Sequence, residues 1–289
     1  MNRYVTLFDS AYLVKGLLMI DSLVRHSREP YLIDVIALDD VTANVVGCLT
    51  DHIRVTKLAD LEAADPALRA ARDNRGWREY CWTLASVALR DCLSQVQHDE
   101  VVTYLDADLG FFSDPQPCHA ALAGHSIGIV PHRFASAYQH YEATSGRFNV
   151  SWLSLRHDEI GLACADAWAA KVLARCDAET CGDQRYLDAW PYQDGAALHV
   201  YASPGVGVAP WNVFDYRVEN GHAVTVNEHP VVFYHYHELV REAAAGPRGL
   251  YLEEFRLTLG YPLRSVDLDV FYRDYCRRYR ALAAELGVD

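Results

Sequence analysis

The sequence has 289 residues, of which 51% are hydrophobic and 22% charged. That composition excludes a disordered chain and supplies a sizeable core, in one large domain or two smaller ones. Lys and Arg number 26 against 39 Asp and Glu, a formal charge of −13. A nucleic-acid backbone is therefore not expected as a partner, and an anionic small ligand would need a local positive centre such as a metal ion or an arginine. The 8 cysteines form no C-x-x-C pair, so neither a zinc ribbon nor a thioredoxin-like motif is expected. Reduced, partly buried thiols of a cytoplasmic protein fit this usage, with a loop disulfide between Cys176 and Cys181 as the alternative. The start, MNRYVTLFDSAYL, is too polar for a signal peptide, and no 18-residue apolar window predicts a membrane span.

Tyr4–Phe8 reads as a buried strand, and Leu13–His26 has the apolar spacing of a helix. Tyr31–Leu38 and Ile53–Leu58 read as strands around a helix at Thr42–Leu49. This alternation predicts a parallel sheet covered by helices. Residues 59–80 read as a helix and a loop, and Trp82–Val96 as a helix. Val101–Leu105 is continuously apolar, as at a sheet centre, and stops at Asp106-Ala107-Asp108. Phe111–Pro115 is predicted to turn out of the sheet. Ile127–Val130, Asn149–Leu155, Val206–Val208 and Val231–Tyr236 read as later strands. Asp158–Cys176, Asp183–Trp190 and Val266–Leu286 read as helices.

Four features carry candidate chemistry. Asp106 and Asp108 lie one residue apart where a strand meets its carboxyl edge, the usual ligand edge of an open α/β sheet. They read either as hard oxygen ligands for Mg²⁺ or Mn²⁺, or as a turn with two solvated carboxylates. His235 and His237 share one side of a strand by its twofold alternation, and an imidazole would complete a Mn²⁺ site. The bland alternative is one core and one surface histidine. Asp183 and Gln184 stand before a short helix, as a cap or as a grip on sugar hydroxyls. Asn149, Trp211 and Asn212 offer amides for a polyol and a ring for stacking, against a purely structural role.

In order, the segments YVTLFDSAYL (4–13), EYCWTL (79–84), VTYLDADLGFFSDP (102–115), GRFNVSW (146–152), GDQRYLDAWP (182–191), APWN (209–212) and VVFYHYHEL (231–239) resemble a known family. They are similar to metal-dependent glycosyltransferases of the GT-A fold, in the family 8-like group that includes glycogenin and bacterial lipooligosaccharide galactosyltransferases. The resemblance implies an α/β fold with a mixed, mainly parallel Rossmann-like sheet flanked by helices over residues 1–262, and a C-terminal helical extension over 263–289. It implies a Mn²⁺ or Mg²⁺ ion on Asp106, Asp108 and His235. Thr6, Asp9, Tyr12, Asp106 and Arg241 would contact the nucleotide. Asn149, Asp183, Gln184, Trp211 and Asn212 would contact the sugar or acceptor, with Gln184 and Asp183 nearest the reacting bond. The slot where family members often carry glycine after the metal histidine holds Glu238. The slot of a phosphate-binding lysine holds Arg241.

The implied reaction moves a sugar from a nucleotide-diphospho-sugar, a UDP-sugar first, to an acceptor hydroxyl with retention of configuration. Asp183 as a base would instead suit inversion, so both outcomes stay open here. The acceptor is not identified by the sequence; loops Arg133–Ser145 and 238–264 are expected to shape its pocket. A metal-dependent phosphoester hydrolase and a non-catalytic nucleotide-sugar-binding protein are the alternatives. Over 272–280, four arginines face one aspartate and interleave with aromatic residues. That pattern fits either a packed helix or peripheral contact with the inner membrane face of a bacterium.

Overall fold

A computed structural model describes residues 1–49, 52–180, 182–193, 195–241, 250–252 and 254–288. The first strand, β1 (Asn2–Phe8), is buried along nearly its whole length. Helix α1 (Leu13–His26) returns across it. A Cβ at Gly16 would lie 2.6 Å from the Phe8 ring, so only glycine lets the helix sit this close. Strand β2 (Tyr31–Ala37), helix α2 (Asp40–Val46) and strand β3 (Ile53–Lys57) follow. Asp39 starts α2 by accepting from the Thr42 amide at 2.8 Å, a conventional side-chain cap. Helices α3 (Leu58–Ala64), α4 (Pro66–Asp73) and α5 (Trp77–Ser94) lead to β4 (Val101–Leu105).

Strand β5 (Leu109–Phe111), helix α6 (Gln116–Ala121), strand β6 (Ile127–Pro131), helix α7 (Glu142–Ser145), strand β7 (Phe148–Arg156) and helix α8 (Glu159–Ala174) continue the chain. A 3₁₀ turn (Gln184–Ala189) runs into α9 (Trp190–Gln193), then β8 (Leu198–Val200) and β9 (Val206–Val208). The main sheet has the order β3-β2-β1-β4-β7-β6-β8. Strands β1 to β4 are mutually parallel, β7 is antiparallel to both neighbours, and β8 is parallel to β6. The expected mixed, mainly parallel sheet is therefore present, and β4 lies at its centre.

Three smaller sheets complete the structure. Strands β10 (Val218–Asn220), β11 (Val224–Val226) and β12 (His229–Pro230) form one. Strand β13 (Phe233–His235) lies between β5 and β9 in another. Strands β14 (Leu239–Arg241), β15 (Leu250–Leu252) and β16 (Phe255–Leu257) form the third. Phe111, expected to open the turn out of the sheet, instead ends β5 and pairs with Phe233 of β13 before the chain turns away, because that partner strand comes from far along the sequence.

One face of the main sheet packs on α5 and α8 through Leu84, Leu89, Leu153 and Trp168. The other packs on α1 through Tyr4, Phe8, Met19 and Trp152. A third cluster joins Tyr234 and Tyr236 to Phe271, Tyr272 and Tyr275 of the C-terminal segment. That segment comprises α10 (Ser265–Asp267), a wider π-type turn (Leu268–Tyr272) and α11 (Arg273–Leu286). Its basic stripe does not stand as a charged face. Arg273 pairs with Asp269, Arg277 with Asp274 and Arg278 with Asp21. Among the described residues no helix is long and apolar enough to cross a membrane. No disulfide is present among them either; the Cys176–Cys181 alternative involves Cys181, which lies outside the described residues.

Burial of His119, whose Nε2 lies 2.9 Å from the Tyr4 hydroxyl, pushes its imidazole down to about 4. An unfolded imidazole titrates near ~6.5, so the folded chain binds fewer protons below that value. The contribution to stability is full above pH ~6.5 and falls as the pH drops towards ~4, by on the order of 2–3 kcal/mol. Melting curves of a His119→Gln variant should show a shallower loss of stability across this window than the wild type.

Candidate functional site

The site is assembled at the carboxyl edge of β4. Asp106 is the first residue beyond that strand, and its amide donates to the Ser151 carbonyl of β7 at 3.2 Å. Three residues later the chain enters β5, which pairs antiparallel with β13 so that Leu109 stands opposite His235. The Tyr236 amide donates to the Asp108 carbonyl at 2.9 Å, locking the two segments together. Alternation along β13 sends its tyrosines one way and its histidines the other. Tyr234 meets the Tyr272 hydroxyl at 2.8 Å, and Tyr236 donates to the Phe271 carbonyl at 2.8 Å while stacking on Tyr275 at 3.6 Å. His235 is thus held from behind by the C-terminal helices.

On the other side, His235 Nε2 lies 3.0 Å from Asp108 Oδ1 and 3.9 Å from Asp106 Oδ2. One ligand atom from each of the three residues falls within 4.8 Å of the others. Two hard carboxylate oxygens and an imidazole nitrogen form a donor set suited to Mn²⁺ or Mg²⁺. Asp108 and His235 are buried, and His235 Nδ1 has no partner among the described residues. Burial pushes the Asp106 carboxyl up to about 6, with the Asp108 charge adding to it. Burial also opposes ionisation of Asp108, but the His235 charge and hydrogen bond outweigh it and hold the carboxyl low. Such a pair of carboxylates, one reluctant to ionise, gains from a cation between them. His237 stands outside this group. Burial and the neighbouring His235 push its imidazole down to about 4.

Trp211 is a wall of the site. Its ring meets His235 and His237 edge-on, each at 5.2 Å, and its Nε1 donates to the His132 carbonyl at 2.9 Å. Asn212 lies behind it, wholly buried. Its amide donates to the His132 and Gly207 carbonyls and accepts from the Ala209 amide, each at 2.9 Å. The sugar contact expected of Asn212 is corrected accordingly: its polar atoms are committed to backbone, and its work is to hold the Trp211 loop. Thr6 is likewise sealed inside β1, so its side chain offers no open nucleotide contact.

Asn149, Gln184 and Asp183 lie close together. Asn149 Nδ2 lies 3.2 Å from His132 Nε2 and donates to Gln184 Oε1 at 3.2 Å, while Gln184 Nε2 donates to the Ser145 carbonyl at 2.9 Å. Asp183 is buried beside them, and burial, then the Asp106 charge, pushes its carboxyl up to about 8. Asp9 accepts from the Tyr12 amide at 3.2 Å and from Trp77 Nε1 at 3.0 Å. Tyr12 is 42% exposed at the start of α1. Arg241 is paired with Glu254 at 3.0 Å. A cavity of about 370 Å³ is lined by His132, Phe134, Gln139, Glu142 and Arg147, among others. Glu238 has a φ of +57°, the left-handed region that glycine favours, so the glycine-type turn after the histidine is kept without the glycine.

Two site residues escaped the sequence reading. Lys15 lies buried beside Tyr12, and His132 connects Asn149 to the cavity. A signal for Lys15 existed: a lysine amid the apolar positions 13, 14, 17 and 18 of a helix falls on its buried face. His132 carried none, since it follows a strand end in a polar stretch.

No family profile matches the chain. It is 30% identical to YfnD of Bacillus subtilis over 242 residues, 81% of this chain and 76% of that protein, which is uncharacterised. The chain belongs to the YfnD family. YfnF of the same organism, also uncharacterised, is 26% identical over 251 residues, covering 81% of this chain and 80% of YfnF. Among solved structures, the galactosyltransferase LgtC, in complex with donor and acceptor sugar analogues, superimposes with a TM-score of 0.57 at 14% identity, covering 96% of this chain and 95% of LgtC. Mouse xyloside xylosyltransferase 1 gives 0.53 at 15%, covering 82% of this chain and 97% of its own. The bifunctional glycosyltransferase WbbM gives 0.57 at 13%, covering 99% of this chain and 51% of WbbM. The fold is therefore GT-A, resembling the LgtC and glycogenin group.

The β5–β13 junction is tight. A Cβ at Gly110 would lie 2.7 Å from the Tyr236 ring, which is fixed by Phe271 and Tyr275. Gly110→Val should cost about 1–3 kcal/mol, read as a lower denaturant midpoint. A Mn²⁺ titration of the folded variant should give a weaker affinity than wild type, because the displaced strand carries His235.

Proposed function

We propose that the protein is a glycosyltransferase that moves a sugar from a nucleotide-diphospho-sugar, a UDP-sugar first, to an acceptor hydroxyl. The observation that carries this reading is the Asp106, Asp108 and His235 group at the edge of β4 in a GT-A fold. Those three residues would hold the divalent ion. When bound, Mn²⁺ or Mg²⁺ supplies Lewis-acid charge neutralisation to the diphosphate.

The other roles belong to the chain's own groups. Tyr12 offers an exposed ring to the base, and Asp9 is fixed beside it by Trp77. Asp106 faces the ribose as well as the ion. Asn149 and Gln184 hold each other, and Ser145 fixes the Gln184 amide, so the transferred sugar meets a preset surface. Asp183, neutral near pH 7 through burial, donates a hydrogen bond to a sugar hydroxyl. Retention, with attack from the leaving-group side, is the course that the resemblance to the family 8-like group implies. Trp211 closes the floor against water. Arg241 would exchange Glu254 for a phosphate oxygen. The acceptor enters through the cavity beside His132 and Phe134, a surface suited to a sugar ring.

Nucleotide sugars should raise the melting temperature in the presence of Mn²⁺, with one donor standing out. Asp108→Ala should abolish that shift and lower turnover by at least ~100-fold, since a charge-neutralising centre is worth several kcal/mol. Absence of any shift across UDP-, GDP-, ADP- and CDP-sugars would refute the proposal. The product anomer, assigned by NMR, should keep the donor configuration; an inverted product would overturn the retaining course.

A further inference from the structure

Among the described residues, one cation at the site is buried without a carboxylate paired to it. Lys15 lies in the first turn of α1 and is 6% exposed. Its ammonium nitrogen stands 4.2 Å from the centre of the Tyr12 ring. Asp108 and Glu238 act on it through space. Neither forms an ion pair with it among the described residues: Asp108 turns to His235, and Glu238 accepts from the Thr258 hydroxyl. A lysine is almost never buried this far unless paired, and burial here lowers its affinity for its own proton. A tyrosine face recovers part of that cost but not all of it.

The helix end adds to the positive field. The first turn of α1 has no acidic residue, and Tyr12 at its N-cap provides no side-chain cap. Asp9 accepts from the amide of Tyr12 itself, but the amides of the first turn have no side-chain acceptor, so the partial positive charge of a 14-residue helix adds to that of the Lys15 ammonium near its start. The other nearby cations are differently placed. Arg241 is held by Glu254, and Arg78 is exposed at the start of α5. The other carboxylates of this corner are engaged elsewhere, Asp9 by Trp77 and Glu238 by Thr258.

We propose that Lys15 and the first turn of α1 bind the diphosphate of the donor. This rests on the glycosyltransferase reading above. In transfer, the bond between the anomeric carbon and the phosphate oxygen breaks, and its electron pair stays on that oxygen. The acceptor oxygen bonds the anomeric carbon, and its proton passes to the leaving phosphate. The Lys15 ammonium matches the charge that grows on the departing nucleoside diphosphate. Lys15 is then a contact to the leaving group rather than a counter-charge for Asp108 alone.

The test compares wild type, Lys15→Met and Lys15→Arg by calorimetric titration with uridine, UMP and UDP in Mn²⁺. Lys15→Met should weaken UDP by about tenfold or more, as expected for loss of a charged contact, and leave uridine unchanged. Lys15→Arg should keep UDP closer to wild type than Lys15→Met does. Without ligand, Lys15→Met should melt at or above the wild type, because an unmatched buried charge is gone. Lys15→Gln serves the same comparison where the methionine variant does not fold. UDP and uridine weakened equally, or UDP unaffected, would overturn the role of Lys15 while leaving the transferase reading intact. A wild-type protein that binds none of UDP, GDP, ADP and CDP in Mn²⁺ would overturn both.

Discussion

Pairing of β5 with β13 is the constraint on which the site depends. Asp106 and Asp108 are placed by the centre of the main sheet, but His235 comes from a different sheet and a late part of the chain. A few backbone bonds and one amide-to-carbonyl contact at 2.9 Å bring them together. Those bonds hold because the other side of β13 is clamped by tyrosine stacking on the C-terminal helices. The aromatic residues of the last helices thus serve the chemistry indirectly. They fix the strand whose opposite face carries the imidazole.

Charge is arranged around that strand with unusual economy. Asp108 and His235 satisfy each other, Asp106 and Asp183 are pushed towards neutrality by burial, and His132 and His237 are held uncharged. Burial dominates each of the neutral cases. Lys15 is the exception, a charged group with no carboxylate partner among the described residues. A site that keeps most titratable groups neutral or matched, and one cation unmatched, is prepared for an anion.

Much of this was legible in the sequence because it is local. The apolar period gave α1 its observed bounds at Leu13 and His26, and the continuous run Val101–Leu105 marked the central strand residue for residue. The D-x-D step and the F-Y-H-Y-H strand supply the three side chains that the structure brings together, Asp106, Asp108 and His235. What stayed hidden depends on distant partners. Phe111 looks like the start of a turn until Phe233 lies beside it. Asn212 looks like a sugar amide until three backbone groups claim it. The arginines near 277 look like a basic face until Asp21, from the first helix, meets Arg278. Tertiary context, rather than weak local preference, decided each of these.

Because the imidazole arrives on β13, the two aspartates are not a complete grip by themselves. A chain emerging from synthesis presents Asp106 and Asp108 well before residue 235 exists to join them, and the strands and helices between must be laid down first. Affinity for a divalent ion is thereby tied to docking of the late strands, not to the presence of the motif. By thermodynamic linkage the relation runs both ways. An ion taken up at the finished edge tightens the hold of β13 and, through Tyr234 and Tyr236, of the helices that follow. A divalent ion held by this group would therefore also be a latch for the last fifth of the chain, fastening only when the rest of the architecture is already in place.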